Sequence, residues 1–498
     1  MTIKPEVAEF EKVYAAGKPQ LVWRRLVSDL ETPVSAFLKL AREQPNTFLL
    51  ESVEGGEQLG RFSIIGLKPD VIWRCYGGRS EINRNVAEGV SVFMPEDGAP
   101  LDNLKRLFAE SQIDLPPEMP PMAAGVFGYL GYDMVRQMER LGPRPAGGLD
   151  TPDAIFMRPT MIAVFDNIRQ EILLFTAVRP KSGISARSAH MRACEQLGAA
   201  ATDLSGPLPS PNAKLSVAPP PDSISLQSNT AQADFQEMVN RAKDYIVAGD
   251  IFQVVLSQRF SCPFQAPPFD LYRALRRSNP SPFLFYLNFD DFALVGSSPE
   301  ILVRVRDDEI TIRPIAGTRP RGKTLSEDKV LETELLGDPK ERAEHLMLLD
   351  LGRNDVGRSA KIGSVRVTDS FTIERYSHVM HIASNVTGAL RDDTHPVDAV
   401  AAGFPAGTVT GAPKIRAMEI IDQLETSARG IYGGAIGYFS ANGNVDTCIA
   451  LRTAVVKNGV MHVQAGAGIV ADSDPATEQA ECENKAKALF AAAETVFS

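Results

Sequence analysis

The amino-acid sequence predicts an α+β fold built on large, mostly antiparallel sheets. Two observations carry this expectation. Apolar runs of strand length, bounded by turn residues, recur in both halves of the 498-residue chain, while helical periodicity is confined to a few separate stretches. Strands and helices also fail to alternate in the strict βαβ rhythm of a parallel sheet.

In the N-terminal region, residues 47–53 (TFLLESV) and 161–165 (MIAVF) read as strands. A helical pattern is expected only near its end, over residues 185–199. Residues 125–133 (GVFGYLGYD) have glycine every third position but lack the spacing of a phosphate loop. They read as a buried strand closely approached by neighbouring backbone. Proline and serine accumulate over residues 203–228, including Pro219, Pro220 and Pro221 in a row, which predicts an exposed linker. The linker divides the chain into domains 1–202 and 229–498. The second opens with a helix at 230–248, ended by Gly249, and a strand at 252–259. Strands at 292–295 and 309–315, helices at 331–351 and 415–424, strands at 434–439 and 448–456, and a last helix at 475–495 follow.

Hydrophobic residues at 44% and charged residues at 23% are the balance of a soluble globular protein. A net charge of -10 without a dense Lys/Arg run argues against nucleic acid as a partner. The five cysteines are scattered and form no C-x-x-C pair, which argues against a disulfide framework or zinc site and fits a reducing cytoplasm. Neither a signal core nor a membrane-length apolar stretch is expected.

Two acidic pairs could carry chemistry. Glu341 and Glu344 lie three apart on one predicted helix, and Glu478 and Glu481 lie three apart on another. Each pair alone is most simply a solvated helix face. Converging, the two would give an all-oxygen cluster suited to Mg²⁺ or Ca²⁺. His381 and His378 are both visible as proton carriers, and pattern does not choose between them. The glycine-rich turns at 405–414 (PAGTVTGAPK) and 465–469 (AGAGI) could bind an anion through backbone N–H groups, or could simply be tight turns. Arg452 and Lys485 could pair with a dianionic ligand.

The runs RPIAGTRPRG (313–322), AEHLMLLDLGRNDVGR (343–358), RYSHVMHIASNVTG (375–388), FPAGTVTGAPKIRAM (404–418), YGGAIGYFS (432–440) and QAGAGIV (464–470) together resemble the chorismate-utilising family. The resemblance implies a sandwich of antiparallel sheets enclosing the site, with helices outside. It also implies chorismate as substrate and Mg²⁺ as cofactor. By the same resemblance, Glu344 and Glu481 are the main metal carboxylates. Glu341 and Glu478 stand beside them, acting partly through water. Tyr432, Arg452 and the backbone of Gly466, Ala467 and Gly468 would hold the enolpyruvyl carboxylate, with Lys485 assisting. Gly317, Thr318 and Thr408 would line the ring, and His381 rather than His378 matches the family's catalytic histidine.

Two positions point to a branch of the family. Residue 316 is Ala, where aminodeoxychorismate synthases carry a nucleophilic Lys. Residue 253 is Gln, where isochorismate and salicylate synthases carry a Lys that activates water; Gln253 can hydrogen-bond ammonia instead. Both resemble the anthranilate synthase large subunits. This implies amination of chorismate, loss of pyruvate and formation of anthranilate, the first committed step of tryptophan biosynthesis. Ammonia would come from a separate glutamine amidotransferase subunit. Tryptophan would inhibit from a site between Glu51–Ser52 and Pro282, Phe283 and Leu284. An aminodeoxychorismate synthase and a non-catalytic tryptophan-binding regulatory subunit remain as alternatives.

Overall fold

Along the strand Thr47–Glu54, Phe48 and Leu49 are both buried, but in different cores. Phe48 packs with Phe127, Phe285 and Leu294, whereas Leu49 packs with Phe37, Tyr286 and Val295. A strand that buries both faces lies between two layers. The computed structural model, which describes residues 2–42, 44–54, 58–209, 226–376 and 379–497, builds those layers from two antiparallel ladders.

The first ladder runs Gln20–Val27, Glu171–Val178, Ala154–Asp166, Gln58–Tyr76, Thr47–Glu54, Phe283–Asn288, Phe292–Ser298, Thr453–Lys457, Val460–Ile469, Gln253–Pro263. The second branches from Ala154–Asp166 through Gly125–Leu130, Ala435–Ser440, Val445–Ile449, Ile301–Arg306, Glu309–Ile312 and Val379–Ala389. Ile315–Pro320 and Arg366–Arg375 pair with that last strand. One core fills the space between the ladders. Helices cover the outer faces: Pro33–Ala41, Ala186–Ser205, Pro268–Ser278 and Pro475–Phe497 on the first, Pro100–Ser111, Pro339–Ser359 and Pro396–Gly403 on the second. This is the expected α+β sandwich with helices outside.

Several expected elements change at identifiable residues. The helix expected over 331–351 is two, Leu325–Gly337 and Pro339–Ser359. Pro339 has no N–H to continue the first, and the Asp338 side chain caps the second. The strand expected over 448–456 is also two, because Arg452 turns the chain with φ +47°. Helices Val7–Ala15, Pro33–Ala41 and Pro100–Ser111 occur where no helical pattern was expected. At 9 residues each, the first two are too short for their period to stand out. Gly125–Leu130 is the buried strand expected, with a Cβ at Gly128 coming within 1.9 Å of the Ile155 carbonyl oxygen.

Of the stretch expected as a linker, residues 203–205 end the helix Ala186–Ser205, and Gln227–Ser228 pairs with Phe260 and Ser261. Residues 210–225 lie outside the described residues. Strands from before this stretch pair with strands from after it at two places, Thr47–Glu54 with Phe283–Asn288 and Gly125–Leu130 with Ala435–Ser440. Among the described residues no helix is long and apolar enough to cross a membrane.

Candidate active site

The acidic residues are positioned by helix starts. Asp338 accepts hydrogen bonds from the N–H groups of Lys340 at 2.9 Å and Glu341 at 3.3 Å, fixing the first turn of Pro339–Ser359. It also holds Arg319 at 2.8 Å, and Arg319 donates to Glu341 at 3.0 Å. One turn on, Glu344 accepts from Gln253 Nε2 at 3.2 Å. The Gln253 amide oxygen is buried and has no partner among the described residues. On Pro475–Phe497, Glu478 is buried and Glu481 pairs with Lys485 at 2.7 Å. Lys485 also donates to the Gly466 carbonyl at 2.9 Å.

The two helices converge. Burial, reinforced by the charges of Glu341 and Glu481, holds the Glu344 carboxyl above its ordinary range against the Gln253 hydrogen bond and Lys485. Burial and Glu481 do the same for Glu478, against a hydrogen bond from Ser473. Mutually repelling carboxylates with only oxygen donors suit a hard cation. Among the described residues no three Asp, Glu, His or Cys side chains close into a cage.

Residues 465–469, expected as a turn, are instead the end of the strand Val460–Ile469, paired with Gln253–Pro263, and their small side chains bring that strand against this end. A Cβ at Gly468 would lie 2.6 Å from Gln253 Nε2 and 3.9 Å from Glu344 Oε1. One at Gly466 would lie 2.7 Å from the Tyr432 hydroxyl and 2.8 Å from the Leu256 carbonyl oxygen, so that approach needs glycine, whereas a side chain at Gly468 would displace the Gln253 amide. Ala467 between them is buried opposite Leu256.

At the other end, His381 Nδ1 lies 2.9 Å from the Gly317 carbonyl and 3.1 Å from the Thr318 hydroxyl. A carbonyl only accepts, so Nδ1 carries the hydrogen and Nε2 is left as a base. Burial pushes His381 down to about 4; the Gly317 contact opposes this, and Arg452 and Lys485 add to it. The ring is neutral at neutral pH. Arg452 is partly buried, and no carboxylate among the described residues pairs with its guanidinium. Arg452, His381 and Tyr376 share a small cavity whose opposite wall is Asn279, Pro280 and Ser281. The two ends meet at Gly317, where a side chain would reach Glu341 at 3.0 Å. His378 lies outside the described residues.

Sequence reasoning missed Glu300. It is 5% exposed, and burial raises its carboxyl to about 8, against hydrogen bonds from Thr408 and the Ile315 backbone. The Thr408 hydroxyl donates to it at 3.3 Å. Its one trace in the sequence is a single acidic residue between the strands Phe292–Ser298 and Ile301–Arg306, and short connections of this kind are ordinarily solvated.

The segments expected to bind an inhibitor are adjacent. Ser52 stands opposite Phe283 and Glu51 opposite Leu284, and Val53 N–H donates to the Pro282 carbonyl at 3.2 Å. Buried Glu51 accepts two hydrogen bonds from Arg276, at 2.7 and 3.0 Å, and a third from the Tyr272 hydroxyl. Ser52 donates to the Phe62 carbonyl at 3.2 Å.

Comparison with known proteins agrees with this architecture. Residues 46–491 match the family described as chorismate binding enzyme. The chain is 54% identical to anthranilate synthase component 1 of Cereibacter sphaeroides, over 97% of this chain and 96% of that one. It is 48% identical to the Pseudomonas aeruginosa protein of that name, over 94% of each. The crystal structure of anthranilate synthase component I from Streptococcus pneumoniae superposes with a TM-score of 0.76 at 38% identity, covering 94% of this chain and 99% of that one. The menaquinone-specific isochorismate synthase of Escherichia coli shares the fold, with a TM-score of 0.68 at 19% identity and 99% of each chain covered. With acidic helix pairs, a glycine-rich strand end and His381 on one sandwich, and relatives alike over nearly the whole length, the chain belongs to the chorismate-binding enzyme family, in its anthranilate synthase component I branch.

Proposed function

We propose that the chain catalyses conversion of chorismate and ammonia to anthranilate, pyruvate and water, as the large subunit of a two-subunit, Mg²⁺-dependent anthranilate synthase. The observation that carries this reading is the pairing of an acidic end, Glu344 with Gln253, with a cationic end, Arg452 beside neutral His381. Chorismate has two carboxylates, and a ligand with two anionic ends suits such a site when a cation occupies the acidic one.

Glu344 and Glu481, with Glu341 and Glu478 beside them, would hold Mg²⁺, which would supply Lewis-acid polarisation of the ring carboxylate. Arg452, Tyr432, Lys485 and the backbone of Gly466, Ala467 and Gly468 hold the enolpyruvyl carboxylate. Gly317 and Thr318 line the ring. The free amide oxygen of Gln253 accepts an N–H of ammonia and aims its lone pair at C2. Glu300, protonated and oriented by Thr408, gives its proton to the departing C4 hydroxyl. His381 then takes the C2 proton as enolpyruvate leaves and the ring becomes aromatic.

Ammonia is supplied in the cytoplasm by a glutamine amidotransferase subunit. Tryptophan binds between Ser52 and Pro282, Phe283 and Leu284. Glu51, already held by Arg276 and Tyr272, braces that pocket. Residues 1–202 contribute the inhibitor strand and residues 229–498 the catalytic groups. Purified protein with chorismate, Mg²⁺ and ammonium tests the proposal: fluorescent anthranilate is expected without added lyase, and none with glutamine alone. Accumulation of a non-aromatic amino product would instead indicate an aminodeoxychorismate synthase, and tryptophan binding without turnover a regulatory subunit.

A further inference from the structure

Beside the strand partners of Gly466 and Gly468 lies an ion pair to which no chemical step has been assigned. Arg429 and Glu425 are buried, with side chains 1% and 2% exposed. Arg429 Nε donates to Glu425 Oε2 at 2.9 Å and Nη2 to Oε1 at 2.5 Å. The remaining hydrogens reach out of the pair. Nη1 donates to the Val409 carbonyl at 2.6 Å and Nη2 to the Val255 carbonyl at 2.7 Å. Glu425 in turn accepts from the N–H and the hydroxyl of Ser257, both at 2.8 Å. The guanidinium lies 4.7 Å from the Tyr132 ring centre and 5.5 Å from that of Tyr432.

All of these contacts except that with Tyr132 lead to a residue of the proposed site. Val409 follows Thr408. Val255 and Ser257 are the strand partners of Gly468 and Gly466, and Gln253 starts the same strand. Tyr432 places its hydroxyl against Gly466. Burying two charges is expensive, and well-packed apolar residues often replace such a pair without loss of stability. Apolar side chains cannot, however, fix two backbone carbonyls and a strand N–H at set positions. A planar guanidinium with several donors and its bidentate carboxylate can.

We propose that the Arg429–Glu425 pair is a positioning device for the substrate's enolpyruvyl carboxylate. It clamps the strand opposite Gly466–Gly468, the turn after Thr408 and the Tyr432 ring in one geometry, without touching substrate. This rests on the reading that Tyr432 and the 466–468 backbone hold that carboxylate.

The test uses Arg429→Lys, which keeps the charge but not the fork, and Glu425→Gln, which keeps the shape but not the charge. Chorismate KM, ammonium KM and the inhibition constant of benzoate are measured. Benzoate carries only the ring-type carboxylate. A clamp predicts that chorismate KM rises about tenfold or more, while ammonium KM and benzoate inhibition stay as in the wild type. A folded variant with unchanged chorismate KM overturns the proposal. So does a parallel loss of benzoate affinity, which signals general loosening. If neither variant folds, Ser257→Ala, which removes one hydroxyl from the network, decides by the same readouts with a smaller rise expected. Wild-type protein that makes no anthranilate would remove the underlying reading instead.

Discussion

A carboxyl group held at about 8 by burial is protonated at neutral pH, and Glu300 is such a group. Between its ordinary value of 4.5 and about 8 the folded chain keeps a proton that the unfolded chain has lost, so this group's contribution to stability falls as pH rises through that window. Its capacity as an acid falls above about 8. At constant free ammonia, kcat/KM is therefore expected to drop about tenfold per pH unit beyond that point. Glu300→Gln should lower kcat by about 10² to 10⁴ and abolish this alkaline limb; turnover like the wild type would exclude the assignment. For Gln253, Gln253→Leu removes both the hydrogen bond to Glu344 and the one proposed to ammonia; losing the latter, worth about 1–3 kcal/mol, should raise ammonium KM about 5- to 150-fold. Chorismate KM should barely change. These two residues differ in legibility. Gln253 stood in a recognisable run, whereas Glu300 offered one acidic letter among apolar ones, and only packing reveals that its carboxyl lacks water.

The helix Pro339–Ser359 carries Glu341 and Glu344, and Asp338 both caps it and holds Arg319. Asp338→Ala should lower the melting temperature, because the first turn loses its cap. It should also raise the Mg²⁺ concentration needed for half-maximal turnover, because the first turn loses its anchor. A magnesium titration alongside thermal melts separates the two effects; an unchanged half-saturation point would show that the cap serves the fold alone. The carboxylate spacing was readable from the sequence because i, i+3 geometry is local. The break at Asp338–Pro339 was equally local, yet strong helix formers continue on both sides of it and mask it. The split at Arg452 was not readable, since nothing in CIALRTAVV signals a left-handed residue.

At the scale of the molecule, Thr47–Glu54 and Phe283–Asn288 lie side by side although more than 200 residues separate them. No local pattern reports that pairing; it follows from burying both strand faces between shared cores. It has an observable consequence. Trp23 and Trp73 both lie in residues 1–202, in strands Gln20–Val27 and Gln58–Tyr76. Their fluorescence reports on that portion, whereas enzymatic activity reports on the acidic helices and His381. If one ladder system joins both, denaturant midpoints by fluorescence, circular dichroism and activity should coincide. A fluorescence transition well separated from loss of activity would show that the portions melt independently.

Arg452 occupies left-handed backbone at φ +47°, a conformation that costs a residue with a Cβ about 1–2 kcal/mol. Glycine adopts it freely. Arg452→Gly should thus melt no lower than the parent while losing its grip on chorismate. A laboratory selection for heat tolerance alone would reward that exchange and drift toward a durable but silent protein. Only a screen that scores product would retain the arginine.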